Sequence, residues 1–137
     1  MESKMILVAD ILKAISDNRS LELFRIVALA KPDTDILISK TKLTCKQYYS
    51  RMSTLMKAGL IKRKNGKHAL TTFGRLIYDT QITIENAVDN YWKLKAIDSL
   101  EMLNDLPAEE RTKLIDSLID NQELKAVLVL DNKVKKV

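Results

Sequence analysis

Apolar residues recur at intervals of three and four along most of the chain, and only three glycines and two prolines punctuate it, so helix is expected to dominate. Residues 3–15 put Met5, Val8, Ile11, Leu12 and Ile15 on one helical stripe, which Asp17 and Asn18 interrupt with capping chemistry. A second helix carries Leu21, Leu23, Phe24, Ile26, Val27 and Leu29. It should stop at Lys31, because the residue before Pro32 is pushed out of the helical region. Asp33 or Thr34 can cap a short third helix containing Ile36, Leu37 and Ile38 and ending near Lys40, after which residues 41–43 form a turn.

The next helix, residues 44–58, has clear limits. Thr44 and Gln47 stand at capping-box spacing, each able to bond the other's backbone amide. At the far end Gly59 tolerates the left-handed conformation that closes a helix. Asn65 and Gly66, between Ile61 to Lys64 and Lys67 to Leu70, signal a type I′ hairpin, with Ile61 facing Leu70 and Arg63 facing His68. From Thr72 the helical pattern resumes and reads without a stop to about Leu103, through Phe73, Ile77, Thr80, Ile84, Ala87, Tyr91 and Leu94, then Ile97, Leu100 and Leu103. A helix of roughly 30 residues spans about 45 Å, longer than a domain this small covers alone. Part of its stripe therefore needs another chain or the terminal segments folded back. Pro107 suits a first helical position, with Glu109 and Glu110 in the first turn of a helix reaching Leu118 and Ile119. The short apolar run from Leu124 to Leu130 fits helix or strand, and the tail ends Lys133, Val134, Lys135, Lys136.

Charge divides this pattern unevenly. Residues 36–78 hold ten Lys and Arg and no carboxylate, a net of +10, whereas residues 1–35 carry −1 and residues 79–137 carry −4, giving the overall +5. A single basic run is usually only a solvated surface. Forty-three acid-free positions in a chain with 18 carboxylates instead point to a surface that lies on a polyphosphate. At 137 residues and 46% apolar content the chain can bury one substantial core with an appendage. One cysteine and one histidine exclude an internal disulfide framework and cannot build a zinc site alone. The longest apolar runs, Met5 to Ala9 and Ala126 to Leu130, are far short of the roughly 20 residues that span a bilayer. Neither a membrane span nor an export signal is expected, and a cytoplasmic setting fits. No phosphate loop, nucleophile elbow or histidine–carboxylate pairing suggests an enzyme, and no cofactor is expected.

Helix, turn, capped helix and basic hairpin follow one another in the order of a winged helix-turn-helix, in which the second helix of the pair enters the major groove. The expected fold is mainly α with a small β-hairpin wing, divided into a DNA-binding domain over residues 1–78 and a helical dimerisation or regulatory region over residues 79–137. On the wheel of residues 44–58, Cys45, Tyr48, Met52 and Leu55 form the core side. Lys46, Ser50, Ser53, Thr54 and Lys57 form the opposite side, flanked by Gln47, Tyr49 and Arg51. Base readout is assigned to Lys46, Gln47, Tyr49, Ser50, Arg51 and Thr54, because Gln can bond adenine twice and Lys or Arg can donate to guanine. Phosphate contact is assigned to Lys40, Lys42, Thr44, Lys57 and the wing (residues 60–71) cations Lys62, Arg63, Lys64 and Lys67. His68 is expected to neighbour a phosphate or simply to be exposed, with nothing marking it as a pH sensor. Cys45 sits where a thiolate would be favoured beside Lys42 and Lys46, but its place on the core side predicts a buried small hydrophobe. Ile84, Val88, Tyr91, Trp92 and Leu94 are the expected dimer contacts, Tyr91 and Trp92 serving interface packing or an effector pocket.

The run Ala14-Ile15-Ser16-Asp17-Asn18-Arg19-Ser20-Leu21-Glu22-Leu23-Phe24-Arg25-Ile26 resembles the first-helix signature of the ArsR-like winged-helix regulators, as does Leu55-Met56-Lys57-Ala58-Gly59-Leu60-Ile61-Lys62-Arg63. Leu70-Thr71-Thr72-Phe73-Gly74-Arg75 is similar to the wing exit of PadR-like and several archaeal regulators. The resemblance covers about residues 12–78 and implies transcription regulation by a homodimer on a pseudo-palindromic operator. It does not extend to metal sensing, since paired cysteine or histidine ligands are missing. An alternative of another class is a winged-helix module that sets the same basic face on acidic protein or RNA in a transcription or replication assembly; the hydroxyl and amide pattern of residues 44–58 favours duplex DNA. The operator, the direction of regulation and any small-molecule effector are not encoded legibly.

Overall fold

The computed structural model describes residues 6–30, 38–104 and 107–134. It is mainly helical with one two-stranded antiparallel hairpin, and it divides after Asp79 into two compact units.

The first unit opens with α1 (Val8–Ala14) and α2 (Asn18–Leu29). Helix α1 is shorter than the apolar stripe predicts and turned differently. Leu7 is already extended, Ile11 and Ala14 face inward, and Val8 and Leu12 lie exposed, Val8 at 75%. Small Ala14 takes the inward place beside Ile11, so the packed stripe is offset from the most apolar one. The predicted start of this helix at residues 3–5 lies outside the described residues. Asp17 caps α2 by accepting from the Ser20 amide at 2.9 Å, and Leu23, Phe24 and Val27 enter the core. The helix ends at Leu29, with Ala30 extended, slightly before the expected stop at Lys31. The short helix expected from Asp33 or Thr34 falls mostly outside the described residues; its end appears as a 3-10 turn, Ile38–Lys40.

Helix α3 (Cys45–Lys57) begins with both halves of the capping box. The Gln47 amide donates to Thr44 Oγ1 at 3.2 Å and the Thr44 amide to Gln47 Oε1 at 3.1 Å. At the other end Leu60 N–H reaches Leu55 O at 3.1 Å and Gly59 N–H reaches Met56 O at 3.0 Å, the paired bonds of a Schellman closure, with Gly59 at φ +81°. Strands β1 (Ile61–Lys64) and β2 (Lys67–Leu70) pair in the predicted register, Ile61 with Leu70 and Arg63 with His68. Asn65 and Gly66 both take positive φ, as a type I′ turn requires. Ile61 and Leu70 join Phe24, Leu23, Tyr48, Met52, Leu55 and Leu60 in a single core, so the hairpin is rooted at its base and solvated toward its tip.

Helix α4 (Thr72–Asp89) starts in this unit, where Tyr78 meets Phe24 edge-on at 5.7 Å. The uninterrupted helix expected from Thr72 to Leu103 does not form. Asn90 breaks it, and α5 (Tyr91–Asn104) begins anew. Asn90 Nδ2 donates to the Asn86 carbonyl at 2.8 Å, and its backbone N–H divides between the Asn86 and Ala87 carbonyls. The Asn86 carbonyl thus takes the Asn90 side chain as a second donor, while the Asn90 N–H shifts partly to the tighter turn with Ala87. In the second unit α6 (Ala108–Leu118), its closing residue Ile119 and α7 (Gln122–Val134) supply Ile115, Ile119 and Leu124 to a core that includes Ile97, with Ala87 and Leu94 packed against it. Pro107 stands just before α6 rather than within it. Residues 124–130, open between helix and strand, are helical; Asn121 Oδ1 accepts from the Leu124 amide at 3.0 Å at the head of α7.

Candidate nucleic-acid interface

The exposed side of α3 is built by the same periodicity that buries its other side. Tyr48, Met52 and Leu55 point into the core, which leaves Lys46, Gln47, Ser50, Ser53, Thr54 and Lys57 exposed. Cys45 corrects the expected core stripe: it is exposed. It occupies the first helical position, and Leu43, just upstream, fills that end of the core instead.

A groove flanks α3 on each side. One, of about 430 Å³, lies between α3 and the hairpin, lined by Tyr49, Met52, Ser53, Met56, Lys57, Arg63 and His68. The other, of about 400 Å³, lies toward α1 and α2 and includes Lys13, Asp17, Lys46, Gln47, Ser50, Arg51 and Thr54. The exposed residues of α3 therefore stand as a ridge between two depressions. Lys62, Arg63 and Lys64 are exposed on β1 and Lys67 is half-buried on β2. Lys40 and Lys42 are also exposed, with Arg19 beside them; Arg19 Nη1 donates to the Lys42 carbonyl at 3.4 Å.

Four assigned residues carry a local duty, Thr44 through its half of the capping box. Arg51 is half-buried, and its Nη1 lies 2.8 Å from Asp17 Oδ1 and 2.9 Å from Ser20 Oγ. Arg51, assigned to base readout, is thus engaged within the protein: the guanidinium fastens α3 to the cap of α2. The acid that makes the difference is Asp17, outside the acid-free window and 34 positions away. Burial by itself would raise the Asp17 pKa, but the Ser20 backbone and side-chain hydrogen bonds, together with Arg51, outweigh it and hold the carboxyl below its usual value. Gln47 Oε1 is engaged in the capping box, so two bonds to one adenine would require that half of the box to open; its Nε2 can donate without such a change. Thr54 Oγ1 donates to the Ser50 carbonyl at 3.1 Å, which leaves its lone pairs to face solvent.

The hairpin's position depends on Thr71 and Gly74, which sequence reasoning placed in the wing-exit run without giving either a role. Thr71 Oγ1 lies 2.6 Å from the Gly59 carbonyl as donor and accepts from Gly74 N–H at 2.8 Å. One hydroxyl thereby joins the close of α3 to the start of α4. A Cβ on Gly74 would lie 2.0 Å from the Leu60 carbonyl oxygen, so only glycine permits this approach. The available signal was a Thr three positions before a Gly at a helix start. Lys13 was also missed, because it belongs to the net-negative N-terminal stretch and reaches the α3 groove only through the fold.

His68 is half-buried in the α3–hairpin groove rather than exposed. Burial, and then the Arg63 charge across the strand pair, pushes its pKa below the usual imidazole value. Among the expected dimer contacts, Ile84, Val88, Tyr91 and Trp92 are exposed, Trp92 at 76%. Leu94 is the exception: it packs on the second unit's own core beside Ile97. Lys95 Nζ sits 5.5 Å from the Trp92 ring centroid and 5.9 Å from that of Tyr91.

Among the described residues, no cluster of His, Cys, Asp and Glu is arranged to hold a metal ion, and no helix is long and apolar enough to cross a membrane. Compared with known proteins, the chain matches no family model, no curated protein and no solved structure.

Proposed function

We propose that this chain is a sequence-specific, duplex-DNA-binding transcription regulator of the winged helix-turn-helix type, acting as a homodimer. In this reading α3 enters the major groove, and the hairpin is the wing that lies on the phosphate backbone. The observation that carries it is the ridge of α3, exposed from Lys46 to Lys57 and flanked by exposed hairpin cations, within a segment that has no carboxylate. Lys46, Ser50 and the Gln47 Nε2 group lead base readout, with Tyr49 and Thr54 beside them. Lys40, Lys42, Thr44, Lys57, Lys62, Arg63, Lys64 and Lys67 meet phosphates; the Thr44 hydroxyl accepts from the Gln47 amide and keeps its own proton for that purpose. Dimerisation rests on Ile84 and Val88, one turn apart on α4, followed by Tyr91 and Trp92 at the start of α5.

Selection of bound duplexes from a random pool, followed by titration over a salt series, tests this directly. A pseudo-palindromic site should emerge, and each of Lys62→Ala, Arg63→Ala and Lys64→Ala should weaken all duplexes alike while lowering the salt slope by about one. Gln47→Ala should instead alter preference among sequences. A protein that ignores duplex DNA even at low salt would end the proposal.

A further inference from the structure

The groove between α3 and the hairpin has a chemistry of its own. Its apolar lining is Met52, Met56 and the Tyr49 ring, which is held edge-on against Tyr48 at 5.3 Å. Its polar groups are Ser53, the Tyr49 hydroxyl, Lys57, Arg63 and His68. Lys57 comes from α3, Arg63 from β1 and His68 from β2, the last two directly opposite each other in the strand register. No carboxylate lines the groove, and none occurs anywhere in residues 36–78. The site thus gathers two fixed cations and one neutral imidazole with no acidic counterpart.

We propose that this groove seats one backbone phosphate of the bound duplex between Lys57, Arg63 and His68, and that His68 takes up a proton from solvent as the phosphate arrives. The inference rests on the DNA-binding reading and adds a phosphate contact and a proton to it. In the free protein, burial and then the facing Arg63 disfavour the charged form of His68. A phosphate at this place reverses both influences: it sets a negative charge beside the ring and offers an acceptor for its second N–H. Binding therefore strengthens as pH falls, over the interval between the free and the bound pKa of the imidazole. Above that interval the ring is neutral in both states, and below it is charged in both. The chain has a single histidine, so no other side chain of ordinary pKa titrates between about pH 5 and 7.

The test measures affinity of the full chain for one duplex at fixed ionic strength from about pH 7.5 to 5.5, alongside the imidazole proton resonances of His68 with and without that duplex. Wild-type affinity should rise at least ~3-fold over this range, within the ceiling of about tenfold per pH unit that one proton sets. His68→Gln should bind with little dependence on pH. The His68 titration midpoint should move upward when duplex is added to the wild-type protein, a measurement that needs no substitution. Duplex binding with a flat pH profile, or with an unmoved His68 titration, overturns the inference while leaving the DNA-binding reading intact. Absence of duplex binding at any pH in low salt removes both.

Discussion

Gly74 and Asp17 show how much can hang on one side chain, or on its absence. Gly74→Ala drives a methyl group into the Leu60 carbonyl, a backbone atom that cannot swing aside. The expected loss is about 3 kcal/mol or more, read as a lower urea midpoint with an unchanged slope. Asp17 holds two roles that one substitution can separate. Asn caps helices as well as Asp does, so Asp17→Asn keeps the acceptor for Ser20 and removes the charge facing Arg51. Because the pair is half-exposed, its loss should cost only roughly 0.5–1 kcal/mol at neutral pH. The folded-state pKa of Asp17 lies below its unfolded value, so the carboxylate adds stability above about pH 4 and that contribution fades as pH falls through the folded value. Stability curves of the wild type and Asp17→Asn, measured by urea unfolding across the acid range, should therefore converge at low pH. Curves that stay parallel would show that the charge has no such linkage.

The elements differ in how far local sequence decided them. Helix α3 and the hairpin were legible residue by residue, since the capping box, the Gly59 closure and the Asn65-Gly66 turn are each made within a few positions. The turn before α3 was less so: Lys42 adopts φ +45°, a left-handed conformation unfavourable to a side chain. Lys42→Gly relieves that strain and removes a cation from the proposed phosphate set. Chemical unfolding should show equal or higher stability, by up to about 1 kcal/mol, while duplex affinity falls; a loss of stability would contradict the strain argument. The long helix after the hairpin was misread because its apolar spacing runs smoothly through Asn90. Periodicity reports which positions are apolar, and it does not register a side-chain amide that bonds a backbone carbonyl one turn back. The second unit's core then draws in Ala87, Leu94 and Ile97, the folded-back solution that the apolar stripe had left open.

For the molecule as a whole, charge and exposed apolar surface carry the two largest claims. The acid-free window supports DNA binding because its cations fall on elements that fold next to one another. The exposed Ile84 and Val88 on α4 and the exposed, mutually packed Tyr91 and Trp92 on α5 support self-association, since exposed apolar patches usually meet a partner. Sedimentation equilibrium at micromolar concentration should give twice the 15.6 kDa chain mass. Trp92→Glu should return the 15.6 kDa species without altering the helical circular dichroism, because the ring is already in solvent. A monomeric wild-type chain under these conditions would remove the homodimer from the proposal. Leu94 could not be told from the other expected dimer contacts by sequence, for it has the same spacing as its neighbours and packs within its own unit.

Capping signals, the hairpin register and the one-signed charge of residues 36–78 are local properties, governed by bonds and repulsions between residues close along the chain, and the amino-acid order alone settles them. Which cations stay available is decided only by the fold. Arg51 flanks the outward side of α3 on a helical wheel, yet it meets an aspartate 34 positions earlier. His68 reads in the sequence as a phosphate neighbour or a simply exposed wing residue, and only the fold sets it in a groove with α3. Both outcomes come from packing α3 between α2 and the hairpin, which brings together groups whose distance in sequence gives no indication of their distance in space.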